Sequence, residues 1–112
     1  MQDKIIPEDF AALRKGLLEF AVLQVISKHE VYAADILEAL SKTDFATSEG
    51  TLYPLLSRTK REGYLSYEWQ ESEAGPPRKY YRLTNEGVEH LKQLQQYWKH
   101  LHKSLEQLGG KR

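Results

Sequence analysis

Residues 48–84, SEGTLYPLLSRTKREGYLSYEWQESEAGPPRKYYRLT, join two incompatible periodicities end to end. Leu52, Leu55, Leu56 and Thr59 recur at the three- and four-residue spacing of one helix face, and Gly63 follows where such a helix needs a stop. Over residues 64–71 the period drops to two. Leu65, Tyr67 and Trp69 alternate with Ser66, Glu68 and Gln70, as in a half-buried strand. Residues 72–77 predict a turn, because Gly75 precedes two prolines, and residues 78–83 predict the return strand. Pro54 inside the helical stretch removes a backbone hydrogen bond. Either Thr51 caps the helix and Pro54 falls in its first turn, or the helix tolerates a bend near its start.

The flanking segments read as helices. Residues 1–7 form a lead-in, after which Phe10, Leu13 and Leu17 recur at helical spacing over residues 8–28. Between Leu17 and Ile26 this helix is apolar almost all round, Leu18 included, which predicts burial on two sides, the second against another subunit. After a break at 29–31, Ile36, Leu37 and Leu40 form the stripe of a second helix over 32–42. A polar turn at 43–47 carries Phe45, expected to tuck into the core. Thr84 caps a long last helix that ends at Gly109 and Gly110, with Lys111 and Arg112 expected to fray. Along it Leu91, Leu94, Trp98, Leu101, Leu105 and Leu108 repeat at 3,4,3,4,3 spacing, a heptad seam with a tryptophan at one core position. The seam is short for an autonomous coiled coil. It is expected to pack partly on the first helix of its own chain and partly across a twofold axis, with intrachain packing alone as the alternative.

Composition bounds the function classes. A chain of 112 residues with 40% hydrophobic residues fits one folded domain with a limited core, which a partner subunit can extend. Its lack of cysteine excludes disulfides and thiolate metal sites. No signal peptide or membrane-spanning run is read, so the expected location is the cytoplasm. Sixteen Lys plus Arg balance sixteen Asp plus Glu, which counts against an anchor built on phosphate contacts alone. Residues 48–84 hold six cations (Arg58, Lys60, Arg61, Arg78, Lys79, Arg82) against five acids (Glu49, Glu62, Glu68, Glu71, Glu73). Only a docking face needs to be positive, so modest non-specific affinity and dependence on specific contacts are expected.

The outward positions of the third helix, Ser48, Glu49, Thr51, Tyr53, Ser57, Arg58 and Arg61, offer hydroxyls, an aromatic tip and guanidinium groups that suit base edges and phosphates. Taken alone they fit a solvated helix with a Ser or Thr cap equally well. Three helices ending in a basic hairpin favour a winged helix-turn-helix. The proline-stiffened tip presents Arg78 and Lys79 to a phosphate or minor groove; solvated cations on a rigid turn are the plain alternative. Catalytic signatures do not appear: no glycine-rich phosphate loop, nucleophile elbow or metal-ligand run is present. His100 and His102 face different sides of a helix, and His29 and His90 lack partners at ligand spacing. No metal or cofactor is expected.

SEGTLYPLL followed by GPPRKYYRLT resembles the PadR family of bacterial transcriptional regulators, and the resemblance extends from about Arg14 to the end of the chain. Arg14–Leu18 resembles the family's first-helix opening. Tyr32 stands where many members have a glycine-flanked tyrosine, although Ala33 and Ala34 follow it here. The resemblance implies operator binding, with the helix over 48–62 in the major groove and the wing over 72–79 on the flanking backbone or minor groove. The single helix after Thr84 resembles the short subfamily, whose members are homodimers. Its multidrug-binding members carry a tryptophan matching Trp98, paired across a pore where flat aromatic ligands stack. By that match Phe10, Leu13, Leu17 and His102 would line the pore; a filled, ligand-free interface is the alternative.

The expected fold is mainly α, a winged helix-turn-helix over residues 1–83 with a two-stranded wing and a C-terminal dimerisation helix over 84–112, forming one compact unit. The expected function is a DNA-binding repressor that holds an inverted repeat as a homodimer and is released by a planar hydrophobic molecule. Tyr32, Ser48, Gly50, Thr51, Tyr53, Pro54, Arg58, Arg78 and Lys79 are the DNA-binding candidates. The dimer candidates are Leu17, Leu18, Leu91, Leu94, Trp98, Leu101, Leu105 and Leu108. Rival readings are a regulator without an effector and a protein-interaction module without DNA.

Overall fold

The computed structural model describes residues 7–110. A 3-10 turn at Pro7–Phe10 leads into α1 (Ala11–Lys28), followed by β1 (Val31–Tyr32), α2 (Ala33–Ser41), α3 (Glu49–Arg61), β2 (Leu65–Ser72), β3 (Gly75–Leu83) and α4 (Asn85–Gly109). The mainly helical architecture with a wing and a long last helix is as expected. The readings for residues 1–6 and for Lys111 and Arg112 fall outside the described residues.

Local chemistry accounts for most helix ends. Ser48 caps α3, its hydroxyl oxygen accepting from the Thr51 N–H at 3.3 Å. Gly63 follows at φ +89, a left-handed position where a Cβ is costly. Thr84 caps α4 by accepting from the Gly87 N–H at 2.9 Å, while its own hydroxyl donates to the Gly63 carbonyl at 2.6 Å. One side chain thus joins the end of α3 to the start of α4.

The core lies where α1, α2 and α3 meet the sheet. Val22, Leu23 and Ile26 of α1, Ile36 and Leu40 of α2, and Leu52, Leu55 and Leu56 of α3 are buried with Val31, Leu65, Tyr81 and Leu91. Buried Thr59 donates its hydroxyl to the Leu55 carbonyl at 2.7 Å, so its polarity is satisfied inside the helix. Phe45 packs against this core, as expected.

Three expectations are corrected and one open choice is settled. The sheet has three strands in the order β1-β3-β2, because Val31 and Tyr32 pair with Tyr81 and Tyr80. A two-residue strand is too short to show alternation, and here Tyr32 precedes α2 instead of opening it. Ser48 and not Thr51 is the cap, so of the two readings of Pro54 the one that keeps it inside the helix holds. The prolines belong to β3, and the turn is only residues 73–74. They fit because β1 pairs β3 only at Tyr80 and Tyr81, leaving the other edge free at the tip. On the β2 side the register breaks between Gln70 and Ser72, so Pro76 and Pro77 face a single residue, Glu71. Trp69 is 62% exposed, where half-burial was expected, because the wing extends past the core that covers Leu65 and Tyr67.

Candidate nucleic-acid interface

Helix periodicity divides the surface of α3 into three strips. Leu52, Leu55, Leu56 and Thr59 face inward, which leaves Gly50, Ser57 and Arg61 on the ridge farthest from the core, all exposed. Thr51, Pro54 and Arg58 form the flank toward α1 and α4. Together with Leu17, Leu94, Trp98 and Leu101 they line a cleft of about 380 Å³. Tyr53 and Lys60 form the opposite flank, toward the wing.

Arg58 is already engaged. Its guanidinium meets Glu19 of α1 at 3.3 Å, and the other Glu19 oxygen lies 3.1 Å from the His90 Nε2 of α4. The His90 ring stacks on Tyr64 at 4.0 Å and 3°. A single α1 carboxylate therefore touches both the exposed helix and the last helix. Neither Glu19 nor His90 was singled out from the sequence as a partner, since they are distant in the chain. Arg61, at the outer ridge, is the better-presented cation.

The wing side differs in charge. Trp69 pairs with Lys79 and Tyr67 with Tyr81 across the hairpin, so these four share the face turned toward α3. Lys79 Nζ sits 4.5 Å from the Tyr67 ring centroid and 5.5 Å from that of Trp69. Arg78 takes the other face, over the Tyr32 ring at 5.4 Å, where the Tyr32 hydroxyl donates to the Gln70 side chain at 3.4 Å. Cations held against aromatic faces are pre-positioned without being neutralised. Tyr32, Tyr53, Trp69, Arg78, Lys79 and Tyr81 share a cleft of about 400 Å³ with no carboxylate among its lining residues. Burial, with smaller contributions from Tyr53 and Tyr67, raises the Tyr81 phenol above the ordinary 10.0.

The DNA-binding candidates thus fall into separate groups. Gly50 is on the ridge; Thr51, Pro54 and Arg58 are on the α4 side; Tyr53, Tyr32, Arg78 and Lys79 gather on the wing side, and Ser48 is engaged in its cap. Among the pore candidates, Leu17 and Trp98 meet at the first cleft and also line a smaller one of about 190 Å³ with Phe20, Ala21 and Phe45. Phe10 and Leu13 are exposed and line neither. His102 pairs with Glu106 one turn along its own helix at 3.4 Å. Along the seam, exposure runs from 5% at Leu91 to 44% at Trp98 and 39% at Leu101, then rises to 68% at Leu105 and 83% at Leu108. No described helix is long and apolar enough to cross a membrane.

Comparison with known proteins places this geometry in a family. The model of the transcriptional regulator PadR-like family matches residues 22–93. A PadR-like transcription factor from Bacteroides fragilis is 44% identical, with a TM-score of 0.76 over 88% of this chain and 95% of that one. A PadR-like transcriptional regulator from Bacillus cereus is 35% identical, with a TM-score of 0.78 over 90% and 99%. A PadR family regulator from Eggerthella lenta is 30% identical and superposes at 0.84 over 94% and 92%. The helix, wing and long last helix derived above span those matches, and the chain belongs to the PadR-like family of transcriptional regulators, proteins that act by binding DNA and are not enzymes.

Proposed function

We propose that this regulator is a cytoplasmic repressor that holds an inverted-repeat operator as a homodimer and is released by a planar hydrophobic molecule. The observation that carries the reading is the pairing of an exposed α3 ridge with a cationic, carboxylate-free cleft under the wing. Residues 1–83 do the reading, with α3 in a major groove and Arg78 and Lys79 on flanking phosphates. Residues 84–112 pair two copies through the half of α4 that its own chain leaves uncovered. Trp98, at 44% exposed beside the cleft that also holds Thr51 and Arg58, is the stacking surface for the effector. Such a ligand changes DNA affinity only if it prefers one spacing of the two α3 helices over another.

One gel-shift series tests this. Duplex from upstream of the gene is titrated at low and high salt, with and without a flat aromatic dye, for the natural protein and Trp98→Ala. The expected result is a complex that weakens with salt and that the dye dissolves only when Trp98 is present. Absence of a complex at low salt would leave a protein-interaction module. A dye effect that persists in Trp98→Ala would remove Trp98 from the effector site.

A further inference from the structure

We infer that Trp69 is a DNA-backbone contact on the inner face of the wing, resting its indole ring on deoxyribose while Lys79 beside it takes the adjoining phosphate and Arg78, which reaches the same cleft from the other face, takes the next. The inference rests on the DNA-binding reading above and adds a residue to it.

Trp69 has no adequate structural role of its own. It is 62% exposed although its ring packs edge-on against Tyr67 at 6.2 Å, so most of a large apolar surface stays in water. Fully burying such a side chain is among the larger single hydrophobic gains available, and the fold forgoes it here. The hairpin does not require a tryptophan at a position that its core fails to reach.

Its surroundings select the occupant. The chain carries no net charge, yet the cleft beside Trp69 has two cations and no carboxylate among its lining residues. The nearest acid on α2, Asp35, accepts from the Tyr32 backbone N–H at 3.1 Å. Lys79 lies over the Trp69 ring, so one patch offers an apolar plane beside a positive charge. A sugar–phosphate backbone presents the complement, an apolar sugar beside an anion. Tyr53 of α3 also lines this cleft, so the exposed helix and the wing both border it. A hydrophobic peptide would leave the cations unmatched, and a free anion would leave the ring uncovered.

Fluorescence tests the contact directly, because Trp69 and Trp98 are the two tryptophans of the chain. In Trp98→Phe, Trp69 emission is titrated with a short random-sequence duplex at low salt, and the same samples are run on a gel. The expected result is an emission change, with protection from acrylamide quenching, whose midpoint matches the retarded complex and shifts with salt. Trp69→Ala should keep its melting temperature and lose roughly tenfold in duplex affinity, with Trp69→Phe in between. A retarded complex with Trp69 emission and quenching unchanged, or undiminished affinity in Trp69→Ala, overturns the contact and leaves the DNA reading standing. Failure of both the natural protein and Trp98→Phe to retard the duplex overturns the two together. Quenching of Trp69 by a flat dye without any response to duplex assigns the cleft to small molecules and overturns the contact as well.

Discussion

A Cβ built on Gly87 would overlap the carbonyl of Tyr64, because the first turn of α4 lies directly on the backbone at the root of the wing. The Thr84 N–H donates to that same carbonyl at 3.1 Å, so neither side can shift without breaking the joint. Gly87→Ala should cost about 1–3 kcal/mol by overpacking, read as a fall in melting temperature of roughly 4–8 °C per kcal/mol. Gly50 is the control: an added Cβ meets only the Ser48 Oγ at 3.8 Å, an ordinary contact. Gly50→Ala should therefore leave stability unchanged or raise it by up to about 1 kcal/mol, since alanine favours a helix. Equal melting temperatures for natural protein and Gly87→Ala would contradict the close approach. At this scale the sequence is legible only where a residue acts on its neighbours. Thr84 and Gly63 were readable as a cap and a stop, and Ser48 only as one of two cap candidates, whereas the need for Gly87 arises from a backbone more than twenty positions away.

Among the elements, β3 is the one that the others share. Its residue Tyr81 pairs with Val31 on β1 and Tyr67 on β2 and is buried in the common core. Burial raises its phenol above 10.0, so the unfolded chain ionises Tyr81 before the folded one does. The stability associated with the neutral phenol is complete below pH 10.0 and is lost as pH rises from there through the folded value. The natural protein should thus lose stability relative to Tyr81→Phe above pH 10.0, with urea midpoints as the measure. A difference between the two that stays flat across this range would show that Tyr81 ionises alike in both states. The helices and β2 were legible because their periods repeat several times. β1 was missed for its brevity, and the prolines were assigned to the turn because composition cannot reveal that one strand edge is unpaired.

The whole molecule is more extended than a compact domain of its length. Its radius of gyration is 16.6 Å, against roughly 13 Å for a compact domain of this length. Helix α4 is the cause: about 38 Å long by its rise per residue, it packs on α1 near Leu91 and then leaves the body with its seam exposed. Under the proposed homodimer, a second copy covers Trp98, Leu101, Leu105 and Leu108. Sedimentation should then give twice the chain mass, and Leu105→Glu with Leu108→Glu should give the single mass and weaker operator binding. A single mass for the natural protein at micromolar concentration would refute the pairing. Glu19 belongs to this scale too, since it joins Arg58 of α3 to His90 of α4, although a pair this exposed adds about 1 kcal/mol or less.

By itself the sequence determined the helices, the hairpin and the seam, because backbone preference and apolar period act over a few neighbouring residues. The family motifs lie in the same local runs, SEGTLYPLL and GPPRKYYRLT. Tertiary structure alone decided which outward side chains stay free. It set Arg58 against Glu19, left Arg61 at the ridge, sent Arg78 and Lys79 to opposite faces and carried Trp69 beyond the core. Those outcomes depend on strand register and on how far each element reaches past its neighbours, quantities that no local pattern encodes.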